Sequence, residues 1–196
     1  MEKDSDAGAK LYGVPFLKEA DIEGDVRRLR ESGADVVIAF PHWGTEYQRS
    51  PDETQQKYAL KLAQAGVDII LGSHPHVLQS MGFAQTTDAQ GNPHDVFIAY
   101  SLGNFISTQD QRSYTDTGMI LEFTVREQSD GSFACEDVGF VPTYCWKHDK
   151  TMQVISTAKY LSNPPEGMDA AAYRRMQASY AETMTLFGDQ FAVLEE

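Results

Sequence analysis

Two apolar runs of the chain end in loops that carry histidine. The runs 35–40 (DVVIAF) and 67–71 (VDIIL) are nearly continuous and rich in β-branched residues, which is typical of strands buried on both faces. Between them the chain has helical spacing, with a capping box predicted from Ser50 and Glu53 and a stop at Gly66. The pattern predicts a strand–helix–strand unit whose two strands are parallel and central in a sheet.

Helical and alternating patterns flank this unit. Charged residues interspersed with apolar ones predict a helix within 19–32, and the segment from Gly167 onward is predicted to be helical. Alternation, short apolar runs and turn signals predict strands at 77–83, 96–100, 118–126 and 133–141, with antiparallel pairing from the hairpin of the last two onward. The fold class predicted from these elements is α/β with mixed sheets.

Composition narrows the classes of partner. The 196 residues carry 16 Lys+Arg against 29 Asp+Glu, a formal net charge of −13, which argues against nucleic acid or an anionic membrane as the main partner. No apolar run approaches the roughly 20 residues that span a bilayer, and the acidic start MEKDSDAGAK does not resemble a signal peptide. A chain of this length fits one domain with a proper core.

The two cysteines, Cys135 and Cys145, do not form a C-x-x-C motif. Zinc-finger and thioredoxin-like sites are therefore not predicted. Both a disulfide and a pair of buried free thiols agree with the sequence.

Three histidines follow the two predicted parallel strands. His42 lies in PHWG after the first strand, and His74 and His76 form an H-x-H in GSHPH after the second. An H-x-H alone is as readily explained by structural hydrogen bonds as by a metal. Because the carboxyl ends of parallel strands meet at one edge, where ligands of α/β sheets bind, the three imidazoles are expected to lie together and to favour a metal site.

Three motifs give the chain a family resemblance. The segments HWGTEY (42–47), GSHPHVLQ (72–79) and YSLGNF (100–105), in that order, resemble the CapA family of poly-γ-glutamate capsule synthesis proteins, within the calcineurin-like metallophosphoesterase superfamily. The resemblance runs from about Asp35 to Phe105, with a tail to Pro142. It implies a mixed-sheet sandwich flanked by helices, with two metal ions at the carboxyl ends of strands.

The resemblance also implies roles for individual residues. His42 and His74 would ligate the second metal and His76 the first, although Ser73 adds one residue to the superfamily spacing. Glu46 is expected to orient a histidine. The expected catalytic residues are His42, His76 and Glu46, the expected metal ligands are His42, His74 and His76, and the other expected pocket residues are Trp43, Ser73 and Asn104.

One superfamily element is missing from this resemblance. No Asp-containing first motif precedes Asp35, so the chain is expected to be the C-terminal half of such a protein, without its N-terminal strands. The predicted divisions are a flexible lead-in at 1–18, the CapA-like domain at 19–145 and a helical extension at 146–196. Divalent Mn, Zn or Fe is the expected cofactor, as a dinuclear centre in the intact protein.

Two functions agree with these expectations. The first is a metal-dependent phosphoesterase-like hydrolase in which an activated water attacks a phosphoryl or acyl centre. The second is a non-catalytic capsule-assembly or polymer-binding component whose histidines are structural or vestigial. Ser101 in AYSLG lacks the leading glycine of a nucleophile elbow, so a serine hydrolase is not predicted.

The resemblance sets the expected partners and location as well. The partners would be poly-γ-glutamate or a phosphorylated substrate, other capsule synthesis components, and either a second copy of the chain or an N-terminal half-domain. Nucleic acid is not an expected partner. The full-length protein is expected to be extracytoplasmic or membrane-associated.

Overall fold

The computed structural model describes residues 15–109 and 112–195. Three helices and eight strands make up this described part of the chain. The helices are α1 (Ile22–Glu31), α2 (Glu53–Gln64) and α3 (Ala170–Phe187). The strands are β1 (Ile38–Ala39), β2 (Ile69–Leu71), β3 (Met81–Thr87), β4 (Pro93–Ala99), β5 (Thr117–Glu127), β6 (Phe133–His148), β7 (Thr151–Ser156) and β8 (Ala192–Val193).

The first sheet is mixed, with strand order β1-β2-β4-β3. β1 pairs in parallel with β2, and β2 pairs in parallel with β4, while β3 runs antiparallel to β4. The predicted parallel strand–helix–strand unit is therefore confirmed. Its consequence is that β1, β2 and β4 all end at the same edge of the sheet.

The second sheet is antiparallel along β5-β6-β7, and β8 pairs in parallel with β6. β6 runs through residue 145, where the sequence predicts a domain boundary, and β7 follows before α3 begins at Ala170. Cys135 and Cys145 both lie on β6 as free thiols. The mixed first sheet and the largely antiparallel second sheet, with the helices, confirm the predicted α/β sandwich class.

The two sheets pack face to face through aromatic side chains. Phe97 of β4 and Phe140 of β6 are both fully buried, in a cluster that Phe187 at the end of α3 completes. The other face of the first sheet is covered by α1 and α2, where Val26 and Leu62 pack against Ile70. Burial of side chains of this size contributes about 1.5–3 kcal/mol each.

One strand is placed differently from its prediction. The run 35–40 is near-continuously apolar and therefore predicts a central strand, but β1 is short and lies at the edge of the sheet in the described residues. Ile38 of β1 is 39% exposed, and Phe40, the residue directly after the strand, is 72% exposed. An apolar run reports the hydrophobicity of a strand, and it does not distinguish an edge position from a central one.

The capping box of α2 also differs from its prediction. Asp52, not Ser50, is the N-cap: its carboxylate accepts from the backbone N–H of Gln55, and the Gln55 side chain accepts from the backbone N–H of Asp52. The box is therefore shifted by two residues, because Ser50-Pro51-Asp52 offers two competing cap side chains.

None of the helices in the described part of the chain combines the length and apolarity that a bilayer crossing needs. The predicted lead-in at 1–18 lies mostly outside the described residues.

Candidate functional site

The loops after β1 and β2 are joined at the carboxyl edge of the first sheet. His42 and Ser73 form a parallel bridge that extends the pairing of the two strands. The backbone N–H of Trp43 donates to the carbonyl of Ser73 at 3.0 Å, and the N–H of Ser73 donates to the carbonyl of Pro41 at 3.0 Å. These bonds fix the histidine loops relative to each other, as the parallel strands predict.

His42 and His74 face each other across this bridge. His42 Nε2 and His74 Nδ1 are 3.0 Å apart, and the ring centres are 4.6 Å apart at an interplanar angle of 62°. The other nitrogen of His42, Nδ1, lies 3.2 Å from the hydroxyl of Ser73. The bridge thus places one nitrogen of each ring toward the other, with Ser73 orienting the His42 ring.

His76 lies beside this pair and has its own orienting partner. Its ring centre is 6.2 Å from that of His74, and its Nδ1 is 3.0 Å from Oδ1 of Asn104. Because Asn104 Oδ1 only accepts, His76 Nδ1 donates the hydrogen of this contact, and Nε2 is the nitrogen that faces away from Asn104. The Glu46 carboxylate lies 3.9 Å from that Nε2.

We name the set His42, His74, His76, Glu46 and Asn104 the histidine edge. It brings together the residues that the sequence proposes as ligands and catalytic groups. Asn104 reaches it from the loop after β4. Its side-chain Nδ2 donates to the carbonyl of Thr115, just before β5 begins. Their individual roles stay predictions.

The backbone of this edge adopts an uncommon conformation. His74, His76 and Tyr47 have φ angles of 103°, 60° and 65°, a region that costs non-glycine residues about 1–3 kcal/mol and that is enriched at functional sites. The N–H of Tyr47 donates to the carbonyl of Pro75 at 2.8 Å. Two loops are thus held in strained conformations at the point where the imidazoles meet.

Trp43 and Gly72 support the edge from below. Trp43 is only 3% exposed, and its indole N–H donates to the carbonyl of Tyr100 at 3.0 Å. A Cβ at Gly72 would lie 2.1 Å from that carbonyl oxygen and 2.5 Å from the indole nitrogen. Glycine is therefore required here for close packing, and Trp43 lies in the core beneath the site.

A buried pair of amides beneath the edge is not apparent from the sequence. Gln55 and Gln79 are fully buried, and Gln55 Nε2 donates to Gln79 Oε1 at 2.6 Å. Gln79 Nε2 also donates to the carbonyls of Gln48 and Ser50, at 2.8 and 3.3 Å. The pair joins α2, the loop carrying Glu46 and the loop carrying the H-x-H. Gln79 ends the motif GSHPHVLQ, which is the signal that marks it.

Tyr47 is a further neighbour of the edge that motif reading leaves without a role. Its ring stacks on His76 with 6.1 Å between ring centres and an angle of 26°. It follows Glu46 directly in the motif HWGTEY. Its contact with His76 depends on how the two loops fold together, which the motif does not specify.

The electrostatics of the edge favour the neutral form of His42. Burial, assisted by the positive charge that His74 and His76 would carry, lowers the pKa of His42 from its ordinary value of 6.5. His42 is therefore neutral at pH 7, the form whose lone pair can bind a metal.

The donor set fits a metal ion in part. Two nitrogens bound to one tetrahedral Zn²⁺ at about 2.0–2.1 Å lie about 3.3 Å apart, close to the 3.0 Å between His42 Nε2 and His74 Nδ1. Within 15–109 and 112–195, however, no three or more His, Cys, Asp or Glu side chains are arranged to hold a metal ion. The described residues thus bring two imidazole nitrogens face to face, with a third imidazole beside them.

Ser101 fits the structural role that the sequence favours. It is 1% exposed, and its hydroxyl accepts from the backbone N–H of Gly103 at 3.3 Å. The hydroxyl stabilises the loop after β4.

Comparison with known proteins gives one family match and two relatives, and the family match includes the whole histidine edge. A family model described as bacterial capsule synthesis protein PGA_cap matches residues 2–109. A "PGA biosynthesis protein CapA" of Bacillus subtilis (strain 168) is 34% identical over 127 residues, covering 64% of this chain and 31% of that protein. A "capsule biosynthesis protein CapA" of Bacillus anthracis is 38% identical over 91 residues, covering 46% of this chain and 20% of that protein. The matched regions span less than a third of either relative.

Proposed function

The chain belongs to the bacterial capsule synthesis protein family PGA_cap, and from this premise we propose that it serves capsule polymer biosynthesis through a metal site at the histidine edge. His42 and His74 would hold the ion, with His76 as a further ligand. A divalent ion bound there would polarise a phosphoryl or acyl oxygen and activate water. The proposed substrate is poly-γ-glutamate or a phosphorylated intermediate.

The observation that carries the proposal is the pair of facing nitrogens. His42 Nε2 and His74 Nδ1 come from different loops and meet at 3.0 Å on strained backbone. Ser73 and Asn104 hold the second nitrogens of His42 and His76, the arrangement that orients metal-binding imidazoles. Glu46 is exposed enough to accept a proton from a substrate or water near His76.

The three histidines are too few ligands for two metal ions. Three neutral imidazoles offer no anionic bridge between two divalent ions, so a dinuclear centre would need carboxylates in addition to the histidine edge. We propose that they come from another part of the full-length protein or from a partner, in an extracytoplasmic or membrane-associated setting. Mn, Zn and Fe are the ions that suit imidazole with carboxylate.

A second candidate function has one observation in its favour. At 3.0 Å, His42 and His74 can also share a direct N–H···N hydrogen bond. The edge would then be a structural feature of a polymer-binding or capsule-assembly component without a metal. Metal affinity distinguishes the two candidates.

The test is zinc and manganese binding to the purified full chain by calorimetry, followed by elemental analysis. We expect one ion per chain, and at least tenfold weaker binding in His42→Ala and in His74→Ala, because each removes one of two facing ligands. His148→Ala is the matched control, since His148 lies at the end of β6 and stacks on Trp146.

Three outcomes decide the proposal. A folded wild-type chain that takes up neither ion contradicts it and favours the structural role. Equal losses in His148→Ala contradict the assignment to the edge. Stoichiometric binding that depends on His42 and His74 supports it, and turnover of a phosphodiester and of poly-γ-glutamate by that protein then tests catalysis.

A further inference from the structure

The first sheet is covered unevenly on the face that it turns toward the second sheet. The strand register aligns Ile38, Ile69 and Phe97 in one row across β1, β2 and β4. Phe97 and Ile69 are buried between the sheets, whereas Ile38 at the end of the row is 39% exposed. Phe40 lies two residues further along, on the same face, and is 72% exposed. Within the described residues, the second sheet therefore covers β4 and β2 and leaves β1 open.

The backbone of β1 is open on the side away from β2. The carbonyl of Val37 accepts from the backbone N–H of Ile69 at 3.4 Å. Because alternate residues of a parallel strand bond to one neighbour, Val37 and Ala39 face β2, while Ile38 and Phe40 direct their N–H and C=O groups away from it. No strand of the described part of the chain pairs with this side of β1. The apolar edge also has no lysine or bulge that would discourage pairing.

This edge is complementary to a second copy of itself. In an antiparallel pair centred on Ile38, each Ile38 would oppose the Ile38 of the second copy, and each Val36 would oppose Phe40. All three residues have their backbone groups on the open side, so every N–H in this register meets a C=O. Val36 packs on the same face as Ile38, so Val36 and Phe40 form a β-branched–aromatic cross-strand pair. Such an interface is isologous, the commonest arrangement in homodimers.

The charge pattern is compatible with this register. A formal net charge of −13 opposes the association of two copies. Residues 36–41, however, carry no charged side chain. Centring the pair on Ile38 also places Asp35 opposite Pro41 of the second copy, so the two carboxylates do not face each other. The repulsion between the chains is therefore not concentrated at this edge.

We propose that the open edge of β1 is a homodimer interface, at which a second copy of the chain adds its own β1 in antiparallel orientation. The two four-stranded first sheets would then form one continuous sheet, and Ile38 and Phe40 would be covered by the same segment of the other copy. The two histidine edges would lie at opposite ends of the joined sheet, because β1 runs toward His42 in each copy. The interface goes beyond the proposed function and does not require a metal.

The first test is the oligomeric state of the purified full chain, measured without metal by analytical ultracentrifugation over a series of concentrations. We expect a monomer–dimer equilibrium. Phe40→Lys should weaken the dimer at least about tenfold, because each copy would bury an unpaired ammonium group beside Val36. Phe83→Lys is the matched control, since Phe83 is 55% exposed at the opposite edge of the same sheet, and it should leave the equilibrium unchanged.

A second test examines the register through cross-linking. Hydrogen-bonded residues of an antiparallel pair have Cα atoms about 5.5 Å apart, within the range of about 4.4–6.8 Å that a disulfide spans. Ile38→Cys should therefore form a covalent dimer under mild oxidation. Phe40→Cys should not, because the two copies of residue 40 lie four residues apart along the strands, about 13 Å. The wild type, with Cys135 and Cys145 unchanged, gives the background.

The outcomes decide the interface. A folded wild type that stays monomeric at every concentration overturns the second copy as the occupant of the edge. An unchanged equilibrium in Phe40→Lys, an equal loss in Phe83→Lys, or equal cross-linking of Ile38→Cys and Phe40→Cys overturns the pairing of the two β1 strands. A dimer that Phe40→Lys weakens and Ile38→Cys cross-links supports it. Zinc binding is measured separately, so the proposed function and the interface can fail independently.

Discussion

The first sheet is built from strands of two, three, seven and seven residues, whereas the second has strands of eleven, sixteen, six and two. The short parallel strands of the first sheet end early and release loops at a common edge. The long β5–β6 pair of the second sheet holds most of its backbone in regular pairing, with one register shift between Glu122 and Thr124. The histidine edge lies wholly at the ends of the first sheet.

This difference predicts that the proposed metal binding and the stability of the fold depend on different regions of the molecule. Loops at the carboxyl ends of parallel strands bring side chains from distant parts of the chain together, and here three residues of these loops, Tyr47, His74 and His76, have positive φ angles. Long antiparallel strands satisfy their own backbone groups and bury large side chains such as Phe140. Changes in the second sheet should therefore reduce stability and leave metal binding at the first sheet intact.

The largest expected effect is at Arg175. Its part-buried guanidinium donates to the carboxylates of Asp116 and Glu182. Because Asp116 directly precedes β5, the bond to it connects α3 to the second sheet. Arg175→Met leaves both carboxylates without their cation, and we expect the free energy of unfolding in urea to fall by about 3 kcal/mol.

The matched control for this variant is Arg174→Met, an exposed arginine of the same helix, which should change stability by less than about 0.5 kcal/mol. Zinc affinity of folded Arg175→Met should equal that of the wild type. A loss of affinity at full folding would break the separation between the two sheets.

A smaller effect is expected at Gln79, where stability and zinc affinity should decrease together. Gln79→Ala removes the amide that bonds Gln55 and two carbonyls of the Glu46 loop. Leaving buried polar groups without partners should cost about 2 kcal/mol, and the loosened loops should also weaken zinc binding.

Urea unfolding and calorimetry on the same sample measure both effects of Gln79→Ala. Gln64→Ala, at an exposed position of α2, serves as the control and should change neither. Loss of stability with unchanged zinc affinity would show that the amide pair does not position the edge.

The smallest expected effect is a pH dependence in the second sheet. Burial, with the neighbouring Glu136 carboxylate, raises the pKa of the Cys135 thiol from 9.0 to about 11. Between these values the unfolded chain loses the thiol proton and the folded chain keeps it, so stability falls as pH rises above about 9. The midpoint of urea unfolding should decrease less steeply from pH 8.5 to 10.5 in Cys135→Ala. Identical slopes would contradict the raised pKa.

Much of the first sheet was predictable because its signals are local or follow from one topological rule. Two apolar runs with a helix between them predict parallel strands, and parallel strands require that His42 and His74 share an edge. The structure brings them to 3.0 Å. Asn104 could be expected nearby only through a motif, since its contact with His76 depends on the third strand ending at the same edge.

Other features depend on tertiary context that no local pattern carries. The edge position of β1 depends on which strands are available to pair, and the cap at Asp52 depends on the bond that Gln55 returns. The contact of Arg112 with Tyr47 joins residues 65 positions apart in loops of different strands. Hydrophobic periodicity in the sequence predicts helices and strands, and it does not predict side-chain contacts between loops.

The central claim is that His42 and His74 act together as metal ligands, and nuclear magnetic resonance of the five histidine side chains during a zinc titration tests it most directly. We predict that the ¹⁵N signals of His42 and His74 shift together and saturate at one equivalent, with His76 following. His94, whose Nε2 bonds the carbonyl of Val67, should not shift. Unchanged signals of His42 and His74 at excess zinc would contradict the account.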